Sequence, residues 1–155
     1  MFTDTDRAMM ALALEEARQA LAEGEIPVGA VIARGETVVA RAHNTRERAL
    51  DPTGHAEMNA LRLAAQATGG WRLTGCTLYV TLEPCPMCAG AILNARIPRV
   101  WYGARDEAMG ACGGVTNLFM ESFPNRPALV GGILAEECRA VLAEFFARLR
   151  ARPQG

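Results

Sequence analysis

Two short motifs, each at the predicted start of a helix, restrict the fold of this chain more than any other feature. The first is His55-Ala56-Glu57, which opens a helix predicted over His55–Ala67 and ended by a glycine pair. The second is Cys85-Pro86-Met87-Cys88, which begins thirty residues after His55. A strand predicted over Thr77–Leu82 leads into it, and its proline suits the first turn of a helix over Met87–Ala95.

The rest of the chain also alternates between helical and strand patterns. A helix capped by Asp4 or Thr5 runs to about Glu23, and a hairpin follows whose turn contains Gly35. This order indicates one α/β domain over residues 1–155, with helices covering a mixed sheet. The other predicted elements are the strands Ile26–Ala33, Thr37–Ala42, Arg99–Tyr102 and Ala128–Val130, the helix Leu134–Arg150, and a glycine-rich loop around Gly110, Gly113 and Gly114.

The cysteines favour a metal site over a disulfide framework. Their number is odd, five, and residues 1–6 lack the basic and apolar regions of a secretory signal. On the first turn of a helix, Cys85 and Cys88 place both sulfurs on one face, where the helix N-terminus favours thiolates. With His55 they offer zinc three ligands and leave a fourth position for water. A buried or redox-active cysteine pair and a core histidine are the alternatives.

Glu57 is a candidate proton carrier at such a site. Two thiolates cancel the formal charge of the dication, so this zinc acidifies its water less than an all-histidine site would. A base must therefore help, and Glu57, two residues from His55, is near enough to reach the water without binding the metal. The alternative is an ordinary carboxylate favoured by the helix dipole. His43 lacks such a context and is expected to be structural.

Charge and hydropathy exclude a general nucleic-acid-binding surface and a membrane-spanning helix. A formal net charge of -1 provides no general basic surface for nucleic acid, so any RNA contact must be local. The apolar runs are far shorter than the roughly 18 residues that a membrane-spanning helix needs. We therefore expect a cytoplasmic protein with no membrane partner.

The two motifs together resemble those of the cytidine and nucleotide deaminase superfamily, in which His-x-Glu is followed by Pro-Cys-x-x-Cys. Further segments extend the resemblance to the bacterial tRNA-specific adenosine deaminases over nearly the whole chain. Ala108 departs from that family, in which a lysine is common there. The tail also departs from it, because it ends Arg152-Pro153-Gln154-Gly155 where a basic tail is common. The resembling segments are 26–31, 43–44, 51–57, 81–91, 103–106 and 132–134.

That resemblance implies a cytidine-deaminase-like three-layer sandwich, with a central mixed five-stranded sheet flanked by helices. It implies hydrolytic conversion of the wobble adenosine of a tRNA anticodon to inosine, with one Zn²⁺ per subunit and Glu57 moving protons to and from the zinc-activated water. Asn44 would orient the base, unless it only forms an Asx-turn. Asp106 would lie beside the substrate nucleotide, contacting a sugar hydroxyl or ordering its loop. The implied partners are the anticodon stem-loop and a second copy in a homodimer, without an organic cofactor.

Two rival functions stay open at this point. A guanine deaminase, or another free-base or nucleoside deaminase, would share the zinc chemistry, although the segment Gly103–Asp106 argues against it. A non-catalytic zinc module that binds RNA is the second rival, and the intact His-x-Glu motif opposes it. The arginines that flank the motif loops are candidates for RNA contact, although each alone is more often a solvated charge: Arg46, Arg48, Arg96, Arg99 and Arg105.

Overall fold

The computed structural model describes residues 2–153 and places five strands in one mixed sheet in the order β2-β1-β3-β4-β5. β1 pairs antiparallel with β2 and β3, whereas β3, β4 and β5 run parallel. The predicted mixed five-stranded sheet is therefore confirmed, while the last two tail residues lie outside the described part. The strands are β1 (Gly29–Arg34), β2 (Thr37–His43), β3 (Thr77–Leu82), β4 (Arg99–Ala104) and β5 (Ala128–Gly131).

Helices cover both faces of this sheet and complete the three layers. α1 and α5 pack on one face, and α3 and α4 pack on the other. β1 is buried on both sides, because Ala30 and Ile32 point into one core and Val31 and Ala33 into the other, which explains its continuous apolar run. No helix within residues 2–153 is both long and apolar enough to span a bilayer. The helices are α1 (Asp4–Ala22), α2 (Arg46–Ala49), α3 (Ala56–Thr68), α4 (Pro86–Asn94) and α5 (Ala135–Arg150).

The cap of α1 differs from the prediction by one or two residues. Thr3, rather than Asp4 or Thr5, is the N-cap, because its hydroxyl accepts a hydrogen bond from the backbone N–H of Asp6 at 3.0 Å. The Asp6 carboxylate accepts the Thr3 N–H in return, at 3.0 Å, which completes a capping box. The same carboxylate accepts the buried hydroxyl of Tyr79 at 2.7 Å and so ties the helix to β3.

The structure also corrects the start of the first strand. Residues 26–28 belong to the predicted strand but precede β1, which begins at Gly29. Ile26 and Val28 instead line a cavity described below. The polar loop after β2 contains the four-residue helix α2, which is too short for apolar periodicity to reveal.

Gly29 allows α1 to pack directly on the start of β1. A Cβ atom at this position would lie 2.6 Å from the backbone nitrogen of Ala17 and closer still to the carbonyl oxygen of Ala13. Backbone atoms of a packed helix cannot rotate away, so Gly29→Ala should lower the free energy of unfolding by about 3 kcal/mol, the upper end of the usual overpacking range. Urea denaturation measures this loss. Gly70→Ala is the matched control, because an added Cβ there meets nothing within 4 Å, and an equal loss in both variants would contradict the argument.

Candidate metal centre and substrate cavity

Three metal-ligating side chains meet where two helices begin. His55 is the N-cap residue of α3, Cys85 is the N-cap residue of α4, and Cys88 lies in the first turn of α4. The sulfur atoms of both cysteines lie 3.5 Å from Nδ1 of His55. Within residues 2–153, these three residues are the one group of histidine, cysteine and carboxylate side chains whose ligand atoms all lie within 4.8 Å of one another.

This donor set fits zinc. Ligand atoms about 2.1–2.3 Å from a tetrahedral zinc stand about 3.6 Å from one another, close to the 3.5 Å between Nδ1 of His55 and each sulfur. One nitrogen and two sulfurs also leave a fourth coordination position free, as catalytic zinc sites do. When bound, zinc supplies Lewis-acid activation of water at that position. The predicted ligands His55, Cys85 and Cys88 are therefore positioned to bind the metal.

The two cysteines of this group differ in proton affinity. A hydrogen bond from the Cys88 thiol lowers the pKa of Cys85 to about 4, against the effect of burial and with help from His55. The same hydrogen bond, together with burial, raises the pKa of Cys88. The contact with Cys85 also raises the pKa of His55. Cys85 is thus a ready thiolate, the form of cysteine that binds metals.

Glu57 lies buried in the first turn of α3, beside the three ligands. Burial, together with the negative charge of Cys85, raises the pKa of its carboxyl group to about 7, against the opposing effects of hydrogen bonds and of His55. A carboxyl group with a pKa near neutrality can both take up and release a proton under ordinary conditions. The residue is therefore chemically suited to the proton transfers predicted for it, rather than being a solvated carboxylate at a helix start.

A cavity of about 310 Å³ opens beside the metal ligands, a size typical of a small-molecule pocket. His55, Glu57 and Cys85 form the reactive part of its wall. Other polar lining residues are Asn44, Arg46, Glu83 and Asp106, and the apolar lining residues are Ile26, Val28, Ala56, Leu82 and Met109. An apolar wall with a few convergent polar groups suits a flat aromatic ligand such as a nucleobase.

Asn44 lines the cavity and also forms the Asx-turn that was its alternative interpretation. Its Oδ1 accepts the backbone N–H of Arg46 at 3.1 Å, and its Nδ2 donates to the carbonyl of Ile26 at 3.2 Å. A side-chain amide has two donor hydrogens and two acceptor lone pairs, so one of each remains. Asn44 is therefore held rigidly and keeps hydrogen-bonding capacity for a ligand.

Asp106 lies on the cavity wall and orders its own loop. Its Oδ1 accepts the backbone N–H groups of Ala108 and Met109 at 3.0 and 3.1 Å. The sequence left two functions open for Asp106, contact with a sugar hydroxyl and ordering of its loop. These hydrogen bonds fit the second. The contact with a substrate nucleotide stays a prediction.

Glu83 is a buried residue of the site that sequence reasoning missed. Its carboxylate accepts the backbone N–H groups of Asp106, Cys112 and Gly114 at 3.1, 3.0 and 2.8 Å. A Cβ atom at Gly110 or Gly114 would collide with this carboxylate, which explains the glycine-rich segment noted in the sequence. Glu83 thus fixes the loop carrying Asp106 against the loop carrying Cys85. The one sequence feature that could have indicated this function is the position of Glu83, an acidic residue directly before Pro84-Cys85.

Glu25 is a second buried carboxylate that the sequence did not reveal. It accepts the backbone N–H groups of Glu47 and Arg48 at 2.9 and 2.8 Å, and so holds α2 beside the cavity. His43, by contrast, contacts Glu16 and Glu23 rather than the metal group, as expected.

Comparison with known proteins agrees with this geometry. Residues 3–104 match the model of the cytidine and deoxycytidylate deaminase zinc-binding region. The chain is 45% identical over 148 residues to a tRNA-specific adenosine deaminase of Bacillus subtilis, a match that covers 95% of this chain and 92% of that protein.

Solved structures share the fold. One, from work on A-to-I editing by tRNA:A34 deaminases at the wobble position of transfer RNA, is 42% identical with a TM-score of 0.80, covering 86% of this chain and 98% of that chain. A guanine deaminase from Bacillus subtilis is 30% identical with a TM-score of 0.62, covering 96% of each chain. This protein therefore belongs to the cytidine and deoxycytidylate deaminase family and, within it, to the tRNA-specific adenosine deaminases.

Proposed function

We propose that this protein hydrolyses the exocyclic amino group of the adenosine at wobble position 34 of a tRNA anticodon, leaving inosine. The observation that carries the proposal is the buried carboxylate of Glu57 beside three zinc ligands in the wall of a base-sized cavity. The 45% identity to a tRNA-specific adenosine deaminase supports the choice of substrate. Because tRNA is the proposed substrate, we place the reaction in the cytoplasm.

Glu57 moves both protons in this reaction. Hydrolysis joins the water oxygen to C6 of adenine and breaks the bond between C6 and the amino nitrogen. Glu57 takes one proton from the water and delivers it to N1, and it then carries the second proton to the departing amine. The products are inosine, with hydrogen on N1, and ammonia. A pKa near 7 suits these opposite transfers.

Two polar residues of the cavity wall position the nucleotide in this proposal. The unused donor and acceptor of the Asn44 amide match a purine edge, which presents both kinds of group. Asp106 keeps one carboxylate oxygen that accepts no backbone N–H group from its own loop, and this oxygen suits a ribose hydroxyl.

Deamination of guanine is the alternative, since a guanine deaminase shares the fold at 30% identity. The zinc-loaded protein is incubated with an anticodon stem-loop carrying adenosine at the wobble position and, separately, with guanine, adenine and cytidine. We expect inosine from the stem-loop and no ammonia from the three small molecules. A stem-loop with its only loop adenosine one position away is the control. Release of ammonia from guanine, without inosine from the stem-loop, would establish the alternative.

We also propose that the protein is a homodimer. A groove between α3, α4 and the segment after residue 117 is lined by apolar side chains and by Asn94, Arg96 and Asn125, and Phe123 in it is 49% exposed. A second copy seated on this groove would remove the exposed ring of Phe123 and its apolar neighbours from water. The groove includes Met58, Pro86, Met87, Gly90, Leu118, Phe123 and Pro124.

Phe123→Glu should convert the dimer to a monomer, because it replaces an apolar ring in the interface with a carboxylate whose removal from water costs free energy. Sedimentation velocity at micromolar concentration measures the change. Phe146→Glu on α5 is the matched control, since Phe146 is 42% exposed and lies outside the groove. A wild-type monomer, or equal dissociation of both variants, would contradict this interface.

A further inference from the structure

The arginines that flank the motif loops differ in what their guanidinium groups contact. Arg48 pairs with a glutamate carboxylate at 3.0 Å, and Arg96 and Arg105 donate to backbone carbonyl groups at 2.8 and 2.7 Å. Arg99 is the first residue of β4, and it is the last residues of this strand that lie near the cavity. Of the five candidates, Arg46 is the one that lines the cavity.

Arg46 combines a fixed backbone with a weakly paired side chain. Its backbone N–H is held by Asn44 at 3.1 Å, and Glu25 holds the two residues that follow. Its guanidinium group reaches Glu47 only at 3.7 Å, and the two side chains are 42% and 70% exposed. Exposed pairs of this kind contribute little free energy, so the positive charge remains available to another anion.

The chemistry at the mouth of the cavity selects phosphate as that anion. A guanidinium group presents a planar set of donors that fits phosphate oxygens in pairs. The backbone N–H groups at the start of α2 are already taken, that of Arg46 by Asn44 and those of Glu47 and Arg48 by Glu25, so the side chain of Arg46 is the donor on this side. Asp106 places a negative charge elsewhere on the cavity wall, which directs a phosphate group towards Arg46.

We infer that Arg46 binds a phosphate group adjoining the target nucleotide and thereby makes the cavity selective for a polynucleotide over a free base. This inference rests on the proposed function, which supplies a ribonucleotide within a chain. A free base carries no phosphate and gains nothing from Arg46. A net charge of -1 provides no general basic surface, so affinity for phosphate depends on local contacts such as this one.

The test measures binding of a fluorescent anticodon stem-loop to zinc-loaded Glu57→Gln protein, with and without Arg46→Gln, across a range of salt concentrations. Hydrogen bonds to charged groups predict about a tenfold weaker Kd for Arg46→Gln. Loss of one phosphate contact should also reduce the slope of log Kd against log salt by about 0.7, the value for single strands. Arg48→Gln is the matched control, with the same loss of charge in the same helix, and it should change neither quantity.

A second probe identifies the phosphate directly. Two stem-loops carry a neutral methylphosphonate, one on the 5′ side and one on the 3′ side of the target adenosine. One of the two should bind Glu57→Gln protein as weakly as the natural stem-loop binds the protein that also carries Arg46→Gln, and this probe should lose no further affinity when Arg46 is replaced. Additive losses at both positions, or equal effects of Arg46→Gln and Arg48→Gln, would overturn the inference.

The outcomes separate this inference from the proposed function. Inosine formation by the wild type with unchanged binding by Arg46→Gln protein would refute the contact and leave the activity standing. Binding that depends on Arg46, without inosine formation by the wild type, would refute the activity and leave the contact standing. A stem-loop that does not bind at all would refute both.

Discussion

Replacing Glu57 with glutamine should abolish inosine formation while the protein keeps its zinc, its fold and its affinity for the anticodon stem-loop. Glutamine has nearly the same shape but cannot take a proton from water, and Glu57 is the one carboxylate in the described structure that lies buried beside all three ligands. Single general acid-base groups contribute about 10²- to 10⁴-fold to a rate, and a residue that carries two protons should lie at the upper end of that range.

Single-turnover measurements with saturating enzyme isolate this chemical step from binding. Glu57→Asp is the comparison variant, because it keeps a carboxylate but withdraws it by one methylene group, and it should retain a small fraction of the wild-type rate. Zinc content and the midpoint of thermal unfolding are measured on all three proteins. Inosine formation by Glu57→Gln at the wild-type rate would remove Glu57 from the mechanism and require another proton carrier in the cavity.

The sequence was informative where structure depends on neighbours along the chain. The strand Thr77–Leu82 has the predicted bounds because its apolar, β-branched run is followed at once by the helix-starting proline of the second motif. The three metal ligands were predicted from residue type and spacing, since a cysteine pair on one helical turn has few alternatives. The single usable histidine then completed the group.

The residues that the sequence missed act over long chain separations. Glu83 accepts N–H groups 23, 29 and 31 residues away, and Glu25 accepts N–H groups 22 and 23 residues away. A backbone N–H group is present at almost every position, so no residue type in the partner loops reveals these contacts. The start of β1 lies beside the end of β3 because the two strands are antiparallel. Only this folded arrangement shows that both carboxylates support the cavity wall.

Both buried carboxylates have the same physical effect on the site. A carboxylate removed from water must be compensated by hydrogen bonds, and each of these receives two or three from a loop that would otherwise have free N–H groups. The loops in turn carry Arg46 and Asp106, which line the cavity. The cavity is therefore ordered by the protein itself before a substrate binds, which lowers the entropy cost of binding.

Cys88→Ala should remove zinc and, with it, all activity. Only two protein ligands then remain, whereas catalytic zinc sites use three. Within residues 2–153 no other histidine, cysteine or carboxylate belongs to the metal group and could take the place of the buried Cys88. We expect zinc content to fall from one equivalent per subunit to near zero. Zinc at about a hundred times its Kd adds about 2.7 kcal/mol to the free energy of unfolding of a protein that binds it, and should add none to this variant.

The matched control is Cys76→Ala, which deletes the same thiol from a position that is also buried but lies outside the metal group. Both variants lose the packing of one sulfur atom, so their difference isolates the contribution of the metal. Cys76→Ala should keep one equivalent of zinc, the stabilisation by added zinc, and inosine formation. If Cys88→Ala kept a full equivalent of zinc, or if both variants lost it equally, the cysteine pair would be structural and the third ligand would have to be sought elsewhere in the chain.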